Sequence, residues 1–490
     1  MKASYQLLIG GKWQNAASGK TFESRNPATG EVIATVAEGD ARDIDRAVAA
    51  ARKALDGPWG TMDPSERGKY LRKMADLIRK NAEALAVLDT KDCGKPITDT
   101  RTVDVPVAAE FFDYYAGLPD KICGRTIPSG EGFLNYTLRE PVGVIGQITA
   151  WNFPILNSAI KLAPALACGN TVILKAARNT PLTALELGRM AQEAGIPDGV
   201  VNVVPGDGAV AGEALVKHPG VDKIAFTGST EVGKRIMRLA ADTLKHVTLE
   251  LGGKSPNIVF PDADLDAAVA GALYGIFLNQ GQVCCASSRL FLHEKIREQF
   301  LEKLLARAKS LRVGDPMDER TQMGALVSPK QLEIVEEYVK IGREEGAKLA
   351  TGGARPKGPK LAKGCFYTPT VFTGVKDDMR IAREEIFGPV LCVMTFKDEE
   401  EALRRANDTT FGLAAAIWTR DVARAHGLAR KLKAGVIWLN VTTHFSWATP
   451  YGGYKESGFG REMGLEAIEI YTQAKDVWVN ISRDPNPWGN

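Results

Sequence analysis

Apolar residues recur at helical spacing from Ala41 to Leu55 and from Ser65 to Leu88, and Val107 to Ala116 continues in that style. The front of the chain therefore reads as a helical layer. Ahead of it, Leu7 to Trp13, with Gly10-Gly11 inside, reads as a short hairpin, and Asn26-Pro27-Ala28-Thr29-Gly30 as a turn. From Cys123 to Leu138 the pattern becomes polar and extended, as in an arm that leaves the domain.

Short β-rich segments then alternate with helical ones. Strands are expected at Val142 to Ile148, Thr171 to Leu174, Val200 to Val204, Lys223 to Phe226 and Val247 to Leu249. Between them lie helical stretches at Asn157 to Ala167, Leu182 to Ala194, Ala209 to Lys217 and Thr230 to Leu239. Such alternation with short links predicts a parallel sheet covered by helices, hence an α/β fold. Ligands on such sheets bind at the carboxyl ends of the strands.

Two of those ends carry glycines. Gly206-Asp207-Gly208-Ala209-Val210-Ala211-Gly212 departs from the Gly-x-Gly-x-x-Gly fingerprint, because its third Gly lies one residue too far. In Phe226-Thr227-Gly228-Ser229-Thr230, Gly228 ends a strand and Ser229 opens a helix, where free N–H groups favour a phosphate. Either loop alone reads as an ordinary turn; two in one sheet point to a dinucleotide site.

A second alternating block runs from Asn257 to about Asn440. Its helices are expected at Leu265–Leu278, Lys295–Ser310, Pro329–Glu345, Glu399–Asn407 and Ala423–Leu432. Its strands fall near Ser288–Leu292, Val390–Thr395, Ala414–Trp418 and Gly435–Leu439. Leu249-Glu250-Leu251-Gly252-Gly253-Lys254-Ser255-Pro256 reads as the hinge between the blocks, Ala350 to Lys363 as a surface loop, and Asp476 to Ile481 as an extended tail.

With 490 residues the chain exceeds one hydrophobic core, so at least two domains are expected. A net charge of +3 gives no basic stripe for nucleic acid. No apolar run is long enough for a transmembrane helix or a secretory signal. The seven Cys are scattered, without a Cys-x-x-Cys pair, and fit a reducing cytoplasm better than a disulfide framework. The five His have no metal-ligand spacing, so no metal site is read. The stretch that carries chemistry is Asn279-Gln280-Gly281-Gln282-Val283-Cys284-Cys285-Ala286, two thiols in a small-residue turn. Adjacent cysteines are usually small buried hydrophobes, but a turn gives a thiolate access to a carbonyl.

Trp151-Asn152-Phe153-Pro154, Phe226-Thr227-Gly228-Ser229-Thr230, Leu249-Glu250-Leu251-Gly252-Gly253-Lys254, Gly281-Gln282-Val283-Cys284, Glu384-Glu385-Ile386-Phe387-Gly388-Pro389 and Gly452-Gly453-Tyr454-Lys455 together resemble the aldehyde dehydrogenase superfamily. The likeness runs over essentially the whole chain, and comes nearest to the broad NAD(P)-linked acetaldehyde and retinal group. It implies a Rossmann-like parallel-sheet cofactor domain (1–121 and 142–252), an α/β catalytic domain (253–452), and extended oligomerisation segments (122–141 and 467–490). A homo-oligomer, dimer or tetramer, is expected, since exposed edge strands must be paired.

The resemblance also implies roles. Cys284 matches the nucleophile, which attacks the aldehyde to give a thiohemiacetal, then by hydride loss a thioester. Glu250 matches the base that activates water for its hydrolysis. Asn152 Nδ2, with the Cys284 N–H, matches the oxyanion donors. Lys161 and Glu462 match a proton-relay pair. Lys175 matches the adenosine-ribose contact, and Ser229, Gly228, Gly208, Ile148 and Trp151 match the surroundings of the pyrophosphate. Glu385 matches the carboxylate on the nicotinamide ribose, with Phe387 beside it. By position, Phe153, Leu156, Ile160, Val283, Cys285, Phe445 and Tyr451 line the substrate funnel. They are mostly apolar and favour an uncharged aliphatic or aromatic aldehyde. The chain departs from NAD-preferring relatives at Arg178, where those usually carry Glu. An acidic residue repels a 2′-phosphate and Arg can pair with it, so NADP acceptance is expected beside NAD. The competing readings are a CoA-acylating enzyme, which Glu250 argues against, and a non-catalytic structural relative, which intact Cys284, Glu250 and Asn152 argue against.

Overall fold

The computed structural model describes residues 3–359 and 361–482. Five parallel strands lie side by side in the order Val201–Val203, Thr171–Lys175, Val144–Ile148, Lys223–Thr227, His246–Glu250. The chain begins in the middle, lays two strands to one side, then two to the other. The order thus reverses between Val144–Ile148 and Lys223–Thr227, and that reversal opens a crevice at the carboxyl ends. Val144–Ile148 and Thr171–Lys175 are buried at every position, as strands covered on both faces must be. The hairpin Leu7–Ile9/Lys12–Gln14 closes one edge antiparallel, and Gly458–Phe459 the other.

A second sheet follows the order Lys348–Thr351, Thr370–Thr373, Val390–Phe396, Arg289–His293, Pro256–Val259, Ala414–Trp418, Val436–Leu439, with only its first pair antiparallel. The chain is therefore α/β throughout its two main sheets. Thr472–Asn480, Phe133–Pro141 and Thr126–Ile127 make a third, antiparallel sheet. The arm and the tail, both expected to be extended, thus pair with each other. The last part of the expected oligomerisation segment, 483–490, lies outside the described residues, as do Met1, Lys2 and Lys360 of the 350–363 loop. Among the described residues no helix is long and apolar enough to cross a membrane.

The structure differs from the periodicity in three places. The run from Ser65 to Leu88 is two helices, Pro64–Lys80 and Ala82–Cys93. Asn81 breaks it with non-helical φ −105°, ψ 15° while its Nδ2 donates back to the Leu77 carbonyl, a local competition typical of Asn. The stretch Ala209 to Lys217 opens as a wide π turn, Gly208–Gly212, before the α-helix Glu213–Lys217. Strands at Thr21–Arg25, Val32–Ala37, Pro256–Val259 and Thr370–Thr373 were hidden, because four to six residues are too few for a period to stand out.

Candidate active site

The helix Leu265–Phe277 ends in a turn of strained backbone. Asn279, Gln280 and Gly281 have φ of 47°, 57° and 74° in succession, and only the last is a glycine. Left-handed backbone persists in a non-glycine residue only where its surroundings hold it. Here Gln280 donates to the Ala325 carbonyl at 2.9 Å and accepts from the Gly324 N–H at 3.0 Å, and Gln282 accepts from the Val327 N–H at 2.9 Å. Asn279 Nδ2 donates to the Asn152 carbonyl at 2.8 Å. A Cβ at Gly281 would strike the Gly388 carbonyl, and one at Gly253 the Cys284 carbonyl. Three of the sequence motifs are therefore small-residue contacts that let three loops meet around one sulfur.

Cys284 is the part-exposed member of the pair, and Cys285 is buried. The Cys285 thiol first, and then the Tyr451 hydroxyl, offset burial and bring the Cys284 thiol down to about 7. Asn152 is buried near the start of the helix Pro154–Ala167, and its Nδ2 donates to the Gln282 carbonyl at 3.0 Å. An amide nitrogen has a second hydrogen, which remains for an oxyanion at the sulfur.

Glu250 ends its strand, beside Thr227 and Gly228. It is 4% exposed, and both carboxylate oxygens lack a hydrogen-bond partner. Burial first, then the Glu462 charge, push its carboxyl well above the usual range. A buried carboxylate without partners costs stability, and is the state expected of a base kept ready for water. Glu462 is ion-paired with Lys161, which is fully buried, so two residues expected to form a relay meet across 301 positions of chain.

At the sheet reversal lies a cleft of about 570 Å³. Ile148, Trp151, Lys175, Arg178, Gly208 and Gly228 all line it. Burial lowers the Lys175 ammonium to about 8. Ser229 caps the helix Thr230–Ala240 beside the cleft, its Oγ accepting from Val232 N–H. Trp151 and Phe387 meet edge to face at 5.1 Å, joining the two sheets at the inner end. Glu385 accepts from the Gly253 N–H at 3.1 Å, where a Cβ on Gly252 would block its carboxylate. These residues fit a dinucleotide: an open groove, a free helix N-terminus, and glycines where a phosphate would approach backbone.

Of the expected funnel residues, Phe153, Val283, Cys285 and Tyr451 pack in or against the core of the second sheet, while Leu156 and Ile160 lie one turn apart on the helix Pro154–Ala167. Phe445 meets the Tyr451 ring at 5.4 Å and the Trp438 ring at 5.6 Å. Three partners were not seen in the sequence. Lys95 Nζ lies 3.6 Å from the Phe153 ring centroid, Glu38 holds Arg178, and Tyr451 reaches Cys284. No local pattern marks such contacts.

A model of the aldehyde dehydrogenase family matches residues 13–477. The chain belongs to the aldehyde dehydrogenase family. It is 52% identical over 480 residues to aldehyde dehydrogenase family 2 member B4, mitochondrial, of Arabidopsis thaliana, covering 98% of this chain and 88% of that one. It is 50% identical over 474 residues to the mitochondrial benzaldehyde dehydrogenase of Antirrhinum majus, covering 96% and 88%. Its fold matches the NAD+ complex of the aldehyde dehydrogenase from Bacillus cereus with a TM-score of 0.96, at 49% identity, over 98% of this chain and 97% of that one. As an aldehyde dehydrogenase the protein is an oxidoreductase acting on the aldehyde group.

Proposed function

We propose that the protein oxidises an uncharged aliphatic or aromatic aldehyde to the carboxylic acid, with Cys284 as nucleophile and Glu250 as base. The observation that carries this is Glu250, buried with both oxygens unpartnered and close enough to Cys284 for the thiolate charge to raise its carboxyl further. Cys284 thiolate attacks the carbonyl carbon, and Asn152 Nδ2 and the Cys284 N–H hold the developing oxyanion. A bound nicotinamide supplies hydride acceptance. Glu250 then takes a proton from water as it attacks the thioester, and the Lys161–Glu462 pair holds the route by which that proton leaves. The apolar and aromatic funnel, with the benzaldehyde-oxidising relative, supports an uncharged substrate.

Lys175, Ser229, Gly228, Trp151 and Glu385 would hold the cofactor, and the NAD+ complex of the B. cereus relative supports NAD. NADP is accepted as well in this reading. Arg178 lines the cleft, donates to Glu38 at 3.0 Å and lies over the Phe22 ring at 4.9 Å. A 2′-phosphate would share that guanidinium with Glu38. The two sheets support a division into a cofactor domain (1–121 and 142–252) and a catalytic domain (253–452), with the edge strand Gly458–Phe459 of the first sheet contributed from outside both ranges. The exposed Phe133, Leu134, Leu138 and Trp478 of the third sheet support a dimer or tetramer. Seven free cysteines support a reducing compartment such as the cytoplasm.

The test is reduced-cofactor formation with NAD and NADP in parallel, on aliphatic and aromatic aldehydes, with and without CoA, beside Cys284→Ala. Turnover that Cys284→Ala abolishes is expected, with carboxylate as product. Activity surviving in that variant sinks the mechanism, and dependence on CoA moves the protein to the acylating class. Glu38→Gln is expected to raise NADP turnover relative to NAD and Arg178→Glu to lower it, each by about tenfold. Unchanged ratios in both would mean that Arg178 does not meet the ribose.

A further inference from the structure

The Tyr451 hydroxyl lies 3.1 Å from Cys284 Sγ, across 167 positions of chain. Either group could donate, but a thiol is more acidic than a phenol by about 1.5 units, so the thiol loses its proton first. Burial and the Cys284 charge push the Tyr451 phenol further up, which keeps its proton in place.

The side chain is held at both ends. Its backbone forms an antiparallel bridge to Glu462, N–H to carbonyl at 2.7 and 2.8 Å, and its ring packs against Phe445. Tyr451 therefore links the residue that pairs with Lys161 to the nucleophile itself. A Phe here would make the same ring contact and no hydrogen bond.

We infer that Tyr451 is a further catalytic residue, whose hydroxyl donates to the Cys284 thiolate and keeps the nucleophile ionised near neutral pH. The inference rests on the assignment of Cys284 as nucleophile. The groups facing the sulfur are Cys285 from its own turn, Glu250 and Glu385 from the strand end and loop opposite, and Tyr451. The two carboxylates disfavour a thiolate when ionised; the Cys285 and Tyr451 side chains can donate to it, as can the Cys284 and Cys285 backbone N–H groups.

The test is the rate of alkylation by iodoacetamide from pH 5.5 to 9.5, on wild type, Tyr451→Phe and Cys285→Ala, with the modified peptide mapped. In Tyr451→Phe the midpoint is expected to rise by about one pH unit, making alkylation about tenfold slower at pH 6 and within about twofold of wild type at pH 9.5. Aldehyde turnover should follow the same convergence. A merely structural role lowers the rate equally at every pH, and that result overturns the inference. So does an unshifted midpoint, or one that moves only in Cys285→Ala. If inactivation instead maps to a cysteine other than Cys284, the assignment of the nucleophile is what fails.

Discussion

Two buried clusters of carboxylates and lysine lie near the helix Pro154–Ala167, and their groups are satisfied to different degrees. In one, Glu250 and Glu462 share the region with Lys161 and Cys284. In the other, Asp89 and Asp104 act on Lys95, which lies against the Phe153 ring, and Asp92 lies beside Asp89. In the second cluster one buried oxygen, Asp89 Oδ2, lacks a partner. Asp92 accepts from the Leu182 N–H at 3.0 Å and from Ser24, Asp89 accepts from Thr183 Oγ1 at 2.9 Å, and Lys95 is ion-paired with Asp104. It ties the helices Ala82–Cys93 and Leu182–Ala194 to Phe153, the residue just before the helix Pro154–Ala167. In the first cluster Glu250 has nothing on either oxygen. Burial raises carboxyl groups in both, so a displaced pKa does not separate chemistry from scaffold. The two clusters differ instead in that Glu250 has neither oxygen partnered, whereas Asp89 keeps one.

Removing the unpartnered carboxylate should have the largest effect. Glu250→Gln is expected to cut kcat by about 10³, roughly 4 kcal/mol of barrier, with the melting temperature unchanged or higher. Because the Glu250 carboxyl is raised, wild-type turnover should climb as the base ionises above the usual carboxylate range, and the variant should keep only the rise that comes from Cys284. An equal loss of stability would make Glu250 part of the scaffold and erase the contrast.

Lys95→Met is the converse. Breaking a buried pair costs about 3 kcal/mol of stability or more, read by denaturant unfolding, whereas kcat in the surviving folded enzyme should fall less than tenfold. Activity lost without stability would place the second cluster in the chemistry.

The smallest effect concerns Asp92, which burial raises to about 7. An acid whose folded pKa is raised contributes stability at low pH that is lost as pH rises through that value. The stability of wild type relative to Asp92→Asn should therefore fall between pH 5 and 7.5, by about 2.5 kcal/mol. A constant difference would mean that Asp92 stays ionised.

The periodicity of the chain announced most elements, and for a physical reason: long helices and buried strands repeat their apolar residues at the spacing of their own backbone. Ala41–Leu55 and Leu182–Ala194 appear in the structure with the bounds expected of them. The loop motifs were legible too, since Gly252, Gly253 and Gly281 stand where any side chain would collide. The joint of the two front helices was hidden, because Asn81 breaks a run whose periodicity continues past it.

The sequence by itself determined the fold class and the family, and it named the candidates for nucleophile, base and oxyanion donor. Only the tertiary structure decided how those groups are tuned: that Glu250 is left unpartnered, that Glu38 holds Arg178, that Lys95 supports Phe153, and that Tyr451 reaches Cys284. Each is a contact between side chains far apart along the chain, and its energy depends on burial and on tenths of an ångström. Those quantities come into being only when the two sheets close on each other.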